Sequence, residues 1–127
     1  MGTWGHGSFQ NDHASDWCAK LRTSAEPAAL LVATLTTRRT ESDEERLLAA
    51  AEVVAAARGK PAANIPQSVV RWLAQERLTV DTELEALART AVDGVRGGSG
   101  LSRLWEEAGE LADWRMIVDD LALRLRA

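Results

Sequence analysis

The sequence predicts an all-α fold: a compact single-domain bundle of five to seven short helices around a central apolar helix, with an ordered N-terminal loop. Apolar residues recur at steps of three and four along the chain, which is the spacing of one helix face. Proline and glycine fall between these stretches, and no segment shows the sustained period-two alternation of a strand. The 127 residues, 46% of them hydrophobic, suffice for one domain (1–127) with its own core.

Residues 1–11 contain three glycines and show no helical period, so they are predicted to form a loop. The loop is expected to be ordered, because Trp4 and Phe9 would be costly to leave in water. Asn11 or Asp12 then caps a helix that runs to about residue 22. Trp17 lies on its apolar face and is expected to anchor the core together with Trp4 and Phe9.

The central helix is predicted from a capping box and a terminating glycine. Ser42 and Glu45 have the spacing in which each side chain satisfies a donor at the helix start. The helix continues to Arg58, and Gly59 is placed to end it in the left-handed conformation. Its middle is apolar all round, which indicates a position at the centre of the fold.

The remaining helices are marked by local signals at their ends. Pro27 opens a helix to about residue 35, Pro66 begins another, and Asp81 or Thr82 caps the next. Residues 97–100, Gly-Gly-Ser-Gly, are expected to be a flexible linker. The stretch 101–126 is then one long helix or two helices broken near Gly109.

Composition argues against several classes of function. The net charge is −4 and arginines are scattered among carboxylates, whereas duplex nucleic-acid binders usually carry a basic stripe. The apolar run 47–57 is too short to cross a membrane. The lone Cys18 cannot form an intramolecular disulfide, and the start lacks the features of a secretory signal. We therefore expect a cytoplasmic protein with no nucleic-acid or membrane partner.

The N-terminal block resembles a known family. Residues 4–17 read WGHGSFQNDHASDW, which is similar to the opening of the bacterial family catalogued as domain of unknown function 4259. The alanine-rich block 48–56 and the segment 102–107, SRLWEE, resemble later parts of the same family. Gln10 stands where an acid is common in that family. The resemblance implies the fold and the boundaries, and it carries no assigned activity.

Glu52 lies in the middle of the central helix, where positions 48, 49, 55 and 56 are leucine or alanine. A carboxylate buried there must be paired or protonated, because an unpaired buried charge is costly. One interpretation is structural: Glu52 accepts hydrogen bonds from the N-terminal loop, with the backbone from Trp4 to Gly7, the Trp4 indole and His6 as donors. The other interpretation is a general base or metal ligand.

A second polar group surrounds the start of the first helix. Asp12 and Asp16 are four residues apart on one helix face, and His13 lies on a neighbouring face. Two carboxylates and an imidazole suit a divalent cation or acid–base work. Helix capping by Asn11 or Asp12 and an Asp16–Lys20 pair account for the same residues structurally.

Two functional hypotheses follow. The first is a non-catalytic interaction module, regulatory or immunity-like, with a protein partner, because the sequence shows a helical core, an acidic balance and no chemistry-specific motif. No catalytic residue, cofactor or metal ligand is assigned under it. The alternative is a small metal-dependent or acid–base enzyme with a polar site at Glu52, Asp12, Asp16, Asn11 and His6. The sequence does not determine the oligomeric state.

Overall fold

The computed structural model describes Thr3 and residues 5–127, and these residues confirm the all-α prediction. They form seven helices, the upper end of the predicted range. The helices are α1 (Asp12–Thr23), α2 (Pro27–Leu35), α3 (Glu41–Ala57), α4 (Gln67–Glu76), α5 (Thr82–Gly97), α6 (Gly100–Glu107) and α7 (Leu111–Arg126). None of these helices combines the length and the apolar character needed to cross a lipid bilayer.

Helix α3 lies at the centre of the bundle. It packs against α1, α2, α5, α6 and α7, so five of the other six helices surround it. Its middle is fully buried on every side, at Ala49, Ala50, Ala51, Val53 and Val54. Small side chains allow neighbouring helices to approach closely from several directions, which is why an alanine-rich helix suits this position. The buried hydrophobic residues form one core cluster around it.

The capping box of α3 lies two residues earlier than predicted. Thr40 is the N-cap residue: its hydroxyl accepts the Asp43 N–H at 3.1 Å, and the Asp43 carboxylate accepts the Thr40 N–H at 3.2 Å. The prediction of Ser42 and Glu45 was wrong because two overlapping registers have the right spacing, and the helix uses the earlier one. At the other end Gly59 has φ +84°, as predicted.

Thr40→Ala is expected to lower the free energy of unfolding by about 1 kcal/mol, because an orphan N–H of the first turn loses its acceptor. Ser42→Ala is the matched control, since Ser42 lies inside the first turn, does not cap it, and loses only a 3.3 Å contact with Nε2 of His13. Chemical denaturation of both variants measures the difference. Equal losses, or a larger loss for Ser42→Ala, would contradict the assignment of the cap.

The N-terminal loop packs onto the bundle. Thr3 pairs with Asn11 in an isolated antiparallel bridge, and Gly7, Ser8 and Phe9 between them are buried. The Gln10 side chain folds back over the loop and accepts the Gly7 N–H at 2.9 Å. Trp4, predicted as an anchor, lies outside the described residues.

The connection between α5 and α6 is shorter than the predicted linker 97–100. Gly97 ends α5 and Gly100 begins α6, so Gly98 and Ser99 alone join the two helices. Ser99 is buried and forms a capping box with Ser102: its hydroxyl accepts the Ser102 N–H at 3.0 Å. This segment therefore starts α6 by specific hydrogen bonds.

Candidate functional site

Glu52 is buried in the middle of α3, and its charge is matched there. Its relative exposure is 1%. The Ser8 hydroxyl donates a hydrogen bond to Oε2 at 2.8 Å, and Nη1 of Arg124 lies 2.9 Å from Oε1. Ser8 comes from the N-terminal loop and Arg124 from α7, so one carboxylate contacts two widely separated parts of the chain.

Arg124 connects this buried carboxylate to the surface. Besides its ion pair with Glu52, it donates to the Asp120 carboxylate at 2.8 Å and to the Lys60 carbonyl at 3.1 Å. Burial works against the charged form of Arg124, but hydrogen bonds and Coulombic attraction from Glu52 and then Asp120 outweigh it, and the pKa of Arg124 is raised above its ordinary value. Arg124 therefore stays charged, and it faces the Glu52 carboxylate as its ion-pair partner.

The donors to Glu52 differ from those we expected. Among the described residues, neither His6 nor the loop backbone up to Gly7 bonds to Glu52, and Trp4 lies outside them. The loop contributes the Ser8 hydroxyl in their place. Arg124 was missed, since its position in a C-terminal helix gives no local sign of a partner in α3.

The three polar residues predicted at the start of α1 have separate environments. Asn11 is the N-cap residue, and its Oδ1 accepts the Ala14 N–H at 2.8 Å. Asp12 and Asp16 are exposed on α1. Within the described part of the chain neither aspartate forms an ion pair, and the expected Asp16–Lys20 pair is not formed.

His6 contacts α6 and the turn that follows it. Its Nε2 lies 2.6 Å from Oε1 of Glu110, in the turn between α6 and α7. Its ring also packs on Trp105 of α6, with 4.8 Å between the ring centroids and an angle of 49° between the planes. The N-terminal loop is therefore tied to the corner where α6 meets α7.

A small cavity lies beneath the loop, with a volume of ≈ 10 Å³. That volume is about the size that holds one water molecule. His6 and Asn11 are among the residues that line it, whereas Glu52, Asp12 and Asp16 are not. The polar residues predicted as one site are thus not gathered around this cavity.

A chain of polar contacts that we did not predict joins α1 to α3. Nδ1 of His13 lies 2.9 Å from Oε1 of Glu45, and its Nε2 lies 3.3 Å from Oγ of Ser42. The order hydroxyl, imidazole, carboxylate is that of a catalytic triad. The His13 side chain is 43% exposed, so the water-excluded environment that strengthens such chemistry is missing around this imidazole. We interpret the contacts as a link between two helices.

An apolar groove runs along α6 beside the N-terminal loop. We call it the α6 groove; its volume is ≈ 240 Å³, and it is lined by Thr3, Glu45, Leu101, Leu104, Trp105 and Ala108. Leu104 is 48% exposed and lies beside the buried face of α6, which carries Leu101 and Ser102. The spacing of the groove residues in α6, with steps of three and four, places them on one stripe.

The other side chains singled out in the sequence have structural positions. Phe9 and Trp17 are buried, as predicted for anchors, and Nε1 of Trp17 donates to the Thr34 hydroxyl of α2 at 2.8 Å. Cys18 is also buried, and burial raises the pKa of its thiol to about 11. A thiol that stays protonated at neutral pH is a poor nucleophile, so Cys18 belongs to the core.

The fold and these contacts define a small helical protein whose central helix carries a buried ion pair. The chain belongs to the family described as domain of unknown function DUF4259, whose model matches residues 2–116. The search of curated proteins and the search of solved structures each found no match. Membership in the family brings no activity with it.

Proposed function

We propose that the protein is a non-catalytic interaction module that binds a basic protein segment in the α6 groove. The observation that carries the proposal is the half-exposed Leu104 beside Trp105 in a concave, mostly apolar surface. Tryptophan and large apolar side chains in a pocket are the usual anchors of protein interfaces.

The charge around the groove favours a basic partner. Glu106 and Glu107 are exposed on α6, and Glu110 is exposed at its end. The whole chain carries a net charge of −4. Negative charge on Glu45, which lines the groove, and on the exposed glutamates of α6 attracts cationic segments and speeds their association. A segment with an apolar residue flanked by lysine or arginine would match both features.

The position of Glu52 supports binding over catalysis. The alternative hypothesis needs this carboxylate as a base or ligand, and here an arginine and a serine hydroxyl already contact its two oxygens. A paired carboxylate at 1% exposure serves the interior of the protein. Leu104 in the groove is half-exposed, in contrast, so its side chain is available to a partner.

Leu104→Glu tests the proposal, with Leu123→Glu as the matched control. Leu123 is an exposed leucine on α7, 69% accessible, and does not line the groove. We expect wild type and Leu123→Glu to recover the same basic protein from the native host in a fixed ratio, and Leu104→Glu to lose it. Calorimetry with that purified partner should show the affinity falling at least tenfold, about 1.4 kcal/mol. Thermal melts should confirm that all three proteins fold.

Three results would contradict the proposal. The first is recovery of the same proteins by all three variants, and the second is recovery of none by any. The third is a concentration-dependent dimer that Leu104→Glu abolishes, because the groove would then bind a second copy of the chain. Size-exclusion chromatography with light scattering measures that last outcome.

A further inference from the structure

Three metal-ligating side chains converge outside the groove and away from Glu52. They are His6 in the N-terminal loop, Glu110 in the turn before α7, and Asp113 in the first turn of α7. The imidazole nitrogen and one carboxylate oxygen from each acid all lie within 4.8 Å of one another. We propose that His6, Glu110 and Asp113 bind one divalent transition-metal ion, with Zn²⁺ as the best match.

The spacing of the ligand atoms fits a single ion after a small adjustment. Zn²⁺ holds imidazole nitrogen and carboxylate oxygen at about 2.0–2.2 Å, so two of its ligands lie about 3–4 Å apart. The 2.6 Å contact between His6 and Glu110 is slightly closer than that. Asp113 is exposed, so no packing contact prevents its side chain from rotating toward an ion held by the other two ligands.

The two acids occupy capping positions but do not cap the helix. Glu110 is the N-cap residue of α7, and Asp113 is three residues further on, where a capping box would have its acid. An acid at the N-cap usually accepts an N–H of the first turn. No side-chain cap bond is formed at this helix start, and the Glu110 carboxylate contacts His6. Neither acid therefore accepts a backbone N–H at the start of α7, although both stand at positions where a capping residue would do so.

The mixed ligand set indicates the kind of ion. Mg²⁺ and Ca²⁺ are bound by oxygen ligands, whereas imidazole nitrogen favours the first-row transition metals. One imidazole with two carboxylates is within the ligand repertoire of Zn²⁺, and three protein ligands leave a fourth position for water. A bound ion would join the loop at His6 to the corner at Glu110, which the present hydrogen bond already brings together.

Zinc titration of untagged, chelator-treated protein tests the site, with His13→Ala as the matched control for His6→Ala. These are the two histidines of the chain, and His13 of α1 pairs with Glu45 of α3. Calorimetry should show one Zn²⁺ per chain, and the melting temperature should rise with Zn²⁺ because the ion binds the folded state. His6→Ala and Asp113→Asn should each weaken binding at least tenfold. His13→Ala should bind as wild type does.

Several outcomes would overturn the assignment. One is the absence of saturable binding up to about 1 mM Zn²⁺, which corresponds to a very weak complex. Another is an equal loss of Zn²⁺ affinity in His6→Ala and His13→Ala. Unchanged affinity in Asp113→Asn would also do so, because the proposed site requires that ligand. Leu104→Glu should leave Zn²⁺ binding intact, so failure of the metal site and failure of the interaction groove are distinguishable.

Discussion

Glu52→Gln is expected to lower the free energy of unfolding by about 3 kcal/mol. Glutamine preserves the volume and a hydrogen bond to Ser8, but it removes the charge that faces Arg124 at 2.9 Å. The Arg124 side chain is 16% exposed, so its guanidinium would keep its charge in a largely buried place. Removal of one partner from a buried pair costs more than the pair contributed, because the remaining charge is left without compensation. Urea denaturation measures the loss.

Asp120→Asn is the control for this substitution. Asp120 contacts the same guanidinium from a position that is 65% exposed, so its loss should cost less than about 1 kcal/mol. Combining Glu52→Gln with Arg124→Met should recover part of the stability, since no unpaired charge then remains. A Glu52→Gln protein more stable than wild type would show that Glu52 is a strained residue held for chemistry, and it would revive the catalytic hypothesis.

Trp114→Ala is expected to lower the free energy of unfolding by about 3–5 kcal/mol. Trp114 lies on α7 with 2% exposure and is among the largest fully buried side chains of the described residues. It also lines the small cavity beneath the N-terminal loop. Its truncation removes buried apolar area and enlarges a void that the close-packed core closes only in part.

Met116→Ala, two residues further along the same helix, serves as the control. Met116 is 70% exposed, and its truncation should change stability by less than about 0.5 kcal/mol. Thermal and urea unfolding of both variants, followed by circular dichroism, give the comparison. If Trp114→Ala lowers the free energy of unfolding by less than about 0.5 kcal/mol, as a surface substitution would, then Trp114 does not fill the core as described.

The local features of the fold were predictable from the sequence. Pro27 at the start of α2, Asp81 before α5, and the glycines at 59 and 109 mark helix ends through their own backbone and side-chain preferences. The apolar middle of α3 predicted its central place. The error at its N-terminus arose because Thr40–Asp43 and Ser42–Glu45 satisfy the same short-range rule, and the side chains of Ser42 and Glu45 contact His13 of α1.

The candidate sites depend on pairings that sequence spacing does not encode. The burial of Glu52 followed from its alanine neighbours, but its partner Arg124 is brought there by the docking of α7. His6 meets Glu110 for the same reason, with 104 residues between them. Asp12 and Asp16 share one helix face as predicted, yet that face is turned to solvent. Proximity along a helix did not predict proximity in a site.

The carboxylate of Glu52 makes the docking of the N-terminal loop and the docking of α7 interdependent. The carboxylate loses its water when the core forms, and the groups that replace this water come from Ser8 in the N-terminal loop and from Arg124 in α7. Detachment of either end would leave a charge partly unmatched inside an apolar interior. The loop and α7 should therefore detach together, and this coupling makes opening of the protein more cooperative than separate fraying of its two ends.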